Sequence, residues 1–379
     1  MPADFAIEAG RVVCPASGFD APGIVRVSGQ TIESVTAPDA AHPAAGQTFR
    51  FPDGILLPGL IDLHAHPAKS GSVFGVAPDE HMLPRGVTTV LSQGDAGADT
   101  IDEYVAETIE TSRTRVLLAI NLSRIGESTN AGCFENLDDA EVDACVTAVE
   151  RHCQHIPMIA VNLSHHACGP TDPRAVLVRG IEAATRTGLP ILLGLRRPSD
   201  WALNDQLRRL RAGDVVTYCF RQEPHCIVEN DRVLACVREA RDRGVLFDVG
   251  HGMASFSFNV AEAAIADGFL PDSISTDLQS RHLSTHPTQH DLPLVMSKLA
   301  AAGMSDDAIF AAVTSKPGAC LRDHGTPGTL KRGALADLVV LQQSDIESLP
   351  DAHGREKPGR RWSAVFGIKA GQPVDAGRE

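Results

Sequence analysis

Residues 57–332 repeat one pattern eight times: a short apolar segment, a polar loop and a segment with helical spacing. Alternation of strands with helices is typical of parallel sheets, and eight repeats predict an α/β fold, a closed (β/α)8 barrel of the TIM type. The expected strands are 57–63, 88–91, 116–120, 158–163, 191–195, 215–220, 245–249 and 273–277. In such a barrel, functional side chains lie at the carboxyl ends of the strands.

The two ends of the chain follow a different pattern. Residues 1–56 alternate short apolar runs with glycines and prolines, which is typical of antiparallel strands joined by turns. A further apolar run lies at 338–341, and another strand is expected at 364–368. We expect 1–56 and 333–379 to form one small β-sandwich domain beside a barrel of residues 57–332.

Composition argues against several classes of protein. The 34 basic and 48 acidic residues give a net charge of -14 without a dense basic cluster, so nucleic acid is not an expected partner. No apolar run approaches the roughly 18 residues of a membrane span, and the first residues lack the pattern of a signal peptide. Nine cysteines without a CxxC pair favour reduced thiols. We expect a cytoplasmic protein with a small-molecule substrate and no membrane partner, and the sequence leaves a homodimer open.

Two histidines end the first predicted barrel strand, in the segment PGLIDLHAH. Because alternate residues of a strand point to the same side, His64 and His66 present both imidazoles to the mouth of the barrel. Imidazole pairs of this kind bind divalent metals such as zinc. The alternative is a pair of surface loop histidines without a ligand.

Five segments together resemble the amidohydrolase superfamily, and within it a deacetylase branch related to dihydroorotases and hydantoinases. They are PGLIDLHAH, GVTTV at 86–90, FDVGHG at 247–252, STDL at 275–278 and GTLKRGALADLVVL at 328–341. The resemblance covers nearly the whole chain. It implies that His64 and His66 bind a metal, and that Asp277 binds it too and accepts a proton from the attacking water.

The position of Asp277 supports this role independently of the resemblance. A carboxylate at the end of the eighth strand opens onto the same mouth as His64 and His66. One divalent metal there, zinc in the first place and manganese as the alternative, would lower the pKa of a bound water towards about 7. A helix N-cap is the other role that an aspartate has at such a position.

The resemblance fails at the second metal site of that branch, which uses a carboxylated lysine on strand four and histidines on strands five and six. The chain has no lysine between Lys69 and Lys298. We align Ala160, Gly194 and Tyr218 with the three missing ligands, and therefore expect one metal or none. Tyr218 is a candidate hydrogen-bond donor to a developing oxyanion, or else a residue that fills the barrel.

Several residues near strands four and six are candidates to replace the missing ligands. His165, His166 and Cys168 follow strand four, while Cys219 and His225 lie at or beyond strand six. A thiolate binds zinc well, although a space-filling role is the alternative for each residue. His165 and His166 are the strongest of these candidates and are also expected to contact substrate.

Three further residues are candidates for contact with the substrate. His251 lies in a Gly-His-Gly turn after strand seven and matches a family position near the substrate, so we expect substrate contact or proton transfer. A structural role in the turn is the alternative. Arg196 and Arg197 follow strand five, where a guanidinium can bind a substrate carboxylate, unless both are surface residues.

These features predict a hydrolase that cleaves a small amide or ester with metal-activated water and Asp277 as the base. The substrate class, an acylated amino or hydroxy acid, is implied by the fold alone. Two alternatives stay open: a lyase or decarboxylase with one metal, and a metal-free member of the superfamily that acts as a binding protein.

Overall fold

The computed structural model describes residues 4–40, 44–196, 200–222, 226–283, 291–321 and 327–374. Its strands, in chain order, are β1 Phe5–Cys14, β2 Phe19–Ser28, β3 Thr31–Thr36, β4 Gln47–Pro58, β5 Leu60–Ala65, β6 Val87–Gln93, β7 Arg115–Asn121, β8 Met158–Asn162, β9 Ile191–Gly194, β10 Val215–Thr217, β11 Val228–Glu229, β12 Arg232–Val233, β13 Leu246–Phe247, β14 Leu338–Pro350, β15 Glu356–Lys369 and β16 Gln372–Val374.

Helices follow most of the barrel strands. They are α1 Pro78–His81, α2 Ile101–Tyr104, α3 Val142–Arg151, α4 His165–Cys168, α5 Pro173–Thr187, α6 Leu203–Leu207, α7 Ala235–Asp242, α8 Phe258–Ala266, α9 Ser280–Leu283, α10 Leu292–Ala301, α11 Asp306–Ala312 and α12 Ser315–Cys320. A π-helical turn at Val105–Ile109 continues α2, and 3-10 turns lie at Leu83–Arg85 and Leu137–Asp139.

A curved parallel sheet forms the barrel wall and confirms the predicted (β/α)8 architecture. Its hydrogen-bonded order is β13-β10-β9-β8-β7-β6-β5. Each adjacent pair is parallel. Apolar side chains from these strands fill the interior, among them Leu63, Leu91, Leu117, Ala160 and Leu192.

The eighth predicted strand is an extended segment that closes the barrel without forming a regular strand. On one side, the backbone N–H of His251 donates to the carbonyl of Ser275 at 3.1 Å. On the other, the N–H of Asp277 donates to the carbonyl of His64 at 2.6 Å, and that of His66 donates to the carbonyl of Leu278 at 2.9 Å. Asp277 has a positive φ of 52°, which is incompatible with a regular strand and explains the difference from the prediction.

Both ends of the chain meet in a second sheet, as predicted. Its order is β16-β15-β14-β4-β1-β2-β3, with β4 lying between β1 and β14. All seven strands belong to one hydrogen-bonded sheet. Its edge strand β3 also contacts the segment before β14, because the backbone N–H of Ile32 donates to the Ala334 carbonyl at 2.9 Å. The sheet thereby curls over a core of its own, which includes Ile7, Val25, Val27, Leu56, Val340 and Ile368.

None of the helices in the described part of the chain is long and apolar enough to cross a membrane.

Candidate metal centre and active site

His64, His66 and Asp277 converge at the carboxyl end of the barrel. Nε2 of His64 and Nε2 of His66 each lie 3.3 Å from Oδ1 of Asp277. All three side chains are buried, and among the described residues they are the one group of His, Cys, Asp or Glu whose ligand atoms are close enough to hold one ion.

The geometry of these atoms fits a metal better than it fits hydrogen bonding. Oδ1 of Asp277 is buried and accepts no hydrogen bond from any described residue. A buried acceptor without a partner is unfavourable unless an ion or water satisfies it. Two ligands that each lie about 2.0–2.1 Å from a tetrahedral zinc ion are separated by roughly 3.4 Å, close to both of the separations around Oδ1.

A buried carboxylate orients His66 from behind. Nδ1 of His66 lies 3.0 Å from Oδ1 of Asp95, which also accepts a bond from the Ser72 hydroxyl at 2.6 Å. The other oxygen of Asp95 accepts from Ser92 at 2.6 Å. With Nδ1–H donating to Asp95, the lone pair of Nε2 faces the convergence point, as a metal-binding histidine requires.

His64 is oriented through a hydroxyl and a second carboxylate. Its Nδ1 lies 2.7 Å from the Thr217 hydroxyl, which donates to Oδ2 of Asp248 at 2.8 Å. Asp248 is fixed in turn by hydroxyl donors from Ser273 and Ser275. Because Thr217 donates to Asp248, its oxygen accepts from Nδ1–H of His64, and Nε2 again faces the convergence point.

The electrostatics of the site favour positive charge. Burial lowers the pKa of His64, but the carboxylates of Asp277 and Asp248 outweigh it and raise that pKa to about 9. Burial also lowers the pKa of His66, but the carboxylates of Asp95 and Asp277 outweigh burial and raise that pKa well above its usual value. Burial raises the pKa of Asp277, yet the two imidazoles lower it far below the ordinary range. The carboxylates therefore favour positive charge at this site, which a proton or a metal ion can supply.

The backbone around Asp277 is held in an uncommon conformation. Oδ1 of Asp62 accepts backbone bonds from His64 and Thr276, both at 3.1 Å, which ties the first strand to the closing segment. Gly252 lies so close that a Cβ there would be 2.5 Å from Oδ2 of Asp277. The positive φ of Asp277 and this close approach together direct its carboxylate towards the histidines.

Tyr218 lies beside His64, at the end of the sixth predicted strand. Its hydroxyl is 3.4 Å from Nε2 of His64, and the two rings are 5.0 Å apart. Its φ of 66° ends β10 at Thr217 and turns the phenol into the mouth. Burial and the charge of Asp277 raise the pKa of Tyr218 well above its usual value, so the phenol keeps its proton.

Two of the substrate contacts predicted near strands four and five, His165 and Arg196, pair with the same carboxylate. Nη2 of Arg196 pairs with Oδ2 of Asp200 at 2.8 Å, and Nε2 of His165 meets the same oxygen at 2.7 Å. His166 is an exposed residue of the short helix α4. Arg197 lies outside the described residues. Arg196 and His165 thus share Asp200 as a partner, and their predicted contact with substrate stays a prediction.

His251 is buried and bonded through both ring nitrogens. Nδ1 lies 2.9 Å from the Gly252 carbonyl, and Nε2 lies 3.0 Å from Nζ of Lys298. The ring also stacks on Phe256 with a centroid separation of 4.9 Å. This arrangement fixes the Gly-His-Gly turn beside Asp277, while its predicted role in proton transfer stays a prediction.

Among the described residues, none of the candidate replacement ligands joins the group of His64, His66 and Asp277. Burial raises the pKa of Cys168 to about 11 and that of Cys219 well above the usual value, so both thiols stay protonated. Cys168 donates to the Asn162 carbonyl. His225 lies outside the described residues.

Sequence reasoning missed the residues that orient His64 and His66. Asp95, Thr217 and Asp248 come from three different strand ends, and only their positions after apolar segments gave a signal. Glu127 was missed too, because it lies in a loop beyond β7. Burial raises the pKa of Glu127 to about 7, and the nearby His66 opposes that rise.

The chain is similar in sequence and in fold to several known proteins. No protein-family profile matches the chain. A deacetylase of Agrobacterium fabrum is 33% identical over 342 residues, which cover 89% of this chain and 83% of that protein. An adenine deaminase structure has a TM-score of 0.88 and 26% identity, covering 98% of this chain and 100% of its own. A dihydroorotase structure has a TM-score of 0.86 and 28% identity, covering 99% of this chain and 100% of its own.

The barrel and the His–His–Asp group at its mouth define a hydrolase of the (β/α)8 class. The chain belongs to the amidohydrolase superfamily, among relatives named deacetylases. This membership favours the enzyme over the binding protein that the sequence left open.

Proposed function

We propose that this hydrolase removes an acyl group from a small amide or ester, using one divalent metal held by His64, His66 and Asp277. The observation that carries the proposal is the convergence of two imidazole nitrogens on a buried carboxylate oxygen that lacks a hydrogen-bond donor. Two nitrogen ligands and one oxygen ligand with an open position are typical of catalytic zinc sites, so zinc is the proposed metal.

The protein residues divide the chemistry between them. A divalent ion bound at such a site acidifies water and polarises a carbonyl group. Asp277 accepts the proton of the attacking water. Because Gly252 has no side chain, no Cβ blocks Oδ2 of Asp277. Tyr218 keeps its proton and donates a hydrogen bond to the oxyanion that develops on the acyl carbon.

A single metal is proposed because the positions aligned with the second site offer no ligand. Ala160 packs in the apolar barrel interior, and Gly194 has no side chain. Tyr218 occupies the third aligned position with a protonated phenol. Cys168 and Cys219 are not among the described side chains whose ligand atoms converge with those of His64, His66 and Asp277.

The acyl substrate is proposed from the relatives. Those that cover most of this chain are named deacetylases, including proteins of Brucella anthropi and Enterococcus faecalis. The acyl carrier, an amino or hydroxy acid, is proposed from the fold alone.

Metal content per chain, measured by mass spectrometry on protein prepared without added metal, tests the centre. We expect about one ion in the wild type. The ion should be lost in His64→Ala and retained in the control His152→Ala, because His152 pairs with the exposed Asp102 away from the barrel mouth. Two ions per chain would overturn the single-metal proposal, and none would favour a metal-free binding protein.

Hydrolysis is tested separately with acetylated amides and esters in oxygen-18 water. Incorporation of one labelled oxygen into the released acetate is expected. Turnover without incorporation of the label would instead support lyase chemistry, which the sequence left open.

A further inference from the structure

Gln93 is the last residue of β6, and its side chain points into the barrel. Leu91, two residues earlier on the same strand, belongs to the apolar cluster that fills the barrel interior. Alternate residues of a strand point to the same side, so Gln93 faces the interior on the mouth side of Leu91. Its partner in the register of β7 is Ala119, which belongs to the same cluster.

The register of the sheet also places Gln93 beside His66. Ser92 pairs with Ala65 at the end of β5. The next residues of the two parallel chain segments are Gln93 and His66, which are therefore neighbours across a strand spacing of about 4.8 Å. Since Nε2 of His66 lies 3.3 Å from Oδ1 of Asp277, the amide of Gln93 lies at the same end of the barrel as the metal position.

Neither polar atom of the Gln93 side chain has a hydrogen-bond partner among the described residues. Oε1 and Nε2 are both buried, and the residue is only 4% exposed. The polar side chains around it are bonded elsewhere: the Ser92 hydroxyl donates to Asp95 at 2.6 Å, and the Asn121 amide donates to the Gly94 carbonyl at 3.1 Å. A buried amide with two unsatisfied atoms destabilises a fold, which indicates a role in binding.

Gln206 shows how a buried glutamine of this chain is bonded when it supports the fold. Its Oε1 accepts from the backbone N–H of Arg196 at 2.9 Å. Its Nε2 donates to the carbonyls of Arg196 and Trp201 at 3.0 and 2.7 Å. Both glutamines are buried, so the difference between them lies in their hydrogen bonds.

The wall around the Gln93 amide is apolar and built from small side chains. Ala119 pairs with Gln93, and a Cβ built on Gly94 would lie 3.1 Å from Cβ of Ala160. Both alanines present only methyl groups to the interior. The amide therefore offers hydrogen bonds, without a charge, from within an apolar wall.

We propose that the Gln93 amide binds the end of the acyl group, and that the acyl group which this chain removes ends in a neutral group that both donates and accepts hydrogen bonds, a hydroxyl or an amide. The inference rests on the proposed hydrolysis and specifies its acyl group. Because the barrel below Gln93 is packed with apolar side chains, this end of the site suits the smaller fragment of the substrate.

The chemistry of a carboxamide favours this class of ligand. Oε1 is an acceptor and Nε2 carries two donors, so a hydroxyl or an amide satisfies both atoms, whereas an alkyl group satisfies neither. A carboxylate would face Oε1 and the nearby carboxylates of Asp95 and Asp277. The terminal torsion of glutamine is broad, so the amide can turn to meet a group that enters from the mouth.

The test compares acyl groups that differ in one terminal group. Zinc-loaded wild type and Gln93→Leu are assayed for release of glycine from N-glycoloylglycine, which has a hydroxyl, and from N-propionylglycine, which has a methyl group there. We expect the wild type to prefer the glycoloyl compound by about tenfold to a hundredfold in kcat/KM, and Gln93→Leu to lose or reverse this preference. Chelation of zinc by the hydroxyl is common to both proteins and cannot produce the change. N-malonamoylglycine, which ends in an amide, identifies which of the two groups is preferred.

Thermal unfolding without substrate tests the unsatisfied amide itself. Gln93→Leu should raise the melting temperature of the zinc-loaded protein by a few degrees, because two unsatisfied polar atoms are removed from an apolar wall. Gln206→Leu is the matched control: it should lower the melting temperature, because it leaves backbone groups of Arg196 and Trp201 unpaired, and it should not change the acyl preference. A lower melting temperature in Gln93→Leu would show that the folded protein already satisfies this amide, which overturns the inference.

A binding measurement separates failure of this inference from failure of the proposed function. The acids that the three compounds would release, glycolate, malonamate and propionate, are titrated calorimetrically into the same zinc-loaded proteins. Tighter binding of glycolate or malonamate than of propionate, lost in Gln93→Leu, supports the inference even when no acyl compound is hydrolysed, a result that counts against the proposed function alone. Equal binding of the three acids to the wild type, or hydrolysis with the same preference in wild type and Gln93→Leu, overturns the inference and leaves the hydrolase intact.

Discussion

At the scale of single residues, the metal ligands depend on carboxylates that do not themselves reach the metal position. Asp95 accepts from His66 directly, while Asp248 acts on His64 through the Thr217 hydroxyl. Such partners set the tautomer of a ligating histidine and raise its basicity. The two histidines are therefore oriented by charges from the turn after β6 and from the segment after β13.

Asp95→Asn should weaken zinc binding by about tenfold to a hundredfold while leaving the fold intact. The amide can still accept from Nδ1 of His66, but it lacks the charge that stabilises the metal-bound imidazole. Competition with a zinc-binding dye measures the affinity. Asp99→Asn is the control in the same loop, since Asp99 pairs with exposed Arg124. Equal affinity of Asp95→Asn and wild type would contradict this account.

Tyr218→Phe should lower kcat by about a hundredfold to a thousandfold with little change in KM or metal content, because only the oxyanion donor is removed. Steady-state kinetics and metal analysis on the same preparation measure both quantities. Tyr104→Phe is the comparison: its hydroxyl donates to the Pro67 carbonyl, so its loss should affect unfolding free energy more than kcat. A loss of zinc in Tyr218→Phe would instead identify the phenol oxygen as a ligand.

At the scale of elements, the strand ends next to the site depart from regular structure. β10 stops at Thr217 because Tyr218 has a φ of 66°, and the closing segment ends in Asp277 with a φ of 52°. Non-glycine residues in this region are held there by their surroundings and cluster at functional sites.

Gly252→Ala should abolish metal binding by displacing Asp277, since the new Cβ would lie 2.5 Å from its Oδ2. Gly268→Ala is a matched control, because Gly268 also has a positive φ, of 79°, but a Cβ there meets no atom within 4 Å. Both substitutions should reduce the unfolding free energy by about 1 kcal/mol through backbone strain, and only Gly252→Ala should lose zinc. Zinc retention in both variants would show that Asp277 tolerates the displacement.

The order of elements was predictable from sequence, because buried parallel strands are continuous apolar runs with recognisable spacing. The ends of those strands were less predictable: the expected strand 215–220 is three residues long, at Val215–Thr217. The conformations of Tyr218 and Asp277 depend on contacts from distant strands. The pattern also did not reveal that Asp200 pairs with both Arg196 and His165, and their contact with substrate stays a prediction.

At the scale of the whole molecule, the barrel and the sheet of the chain ends are linked at α10. The hydroxyl of Ser297 accepts from the backbone N–H of Trp362 on β15 at 2.9 Å. The next residue, Lys298, is fully buried and its Nζ contacts His251. The turn beside Asp277 is thus connected through one lysine to the junction of the two parts.

Lys298 should make the stability of the whole protein depend on pH. Burial lowers its pKa from 10.5 to about 7, and Asp291 and Asp351 oppose this shift. The folded lysine therefore releases its proton near pH 7, whereas the unfolded lysine keeps it until about pH 10.4. Between these values the unfolded state binds more protons, so the contribution of Lys298 to the free energy of unfolding rises with pH.

Urea denaturation of wild type and Lys298→Met at intervals from pH 7 to pH 10 measures this contribution. Taking the difference between the two proteins removes the titration of groups that they share. The wild type should gain about 2–4 kcal/mol relative to Lys298→Met across this range, if His251 keeps one protonation state throughout. Lys298→Arg is informative as well, because a guanidinium stays charged when buried and should destabilise the protein at every pH in the range. If the difference in unfolding free energy between wild type and Lys298→Met does not change with pH, Lys298 stays charged in the folded protein. Its ammonium group then donates a hydrogen bond to a neutral His251.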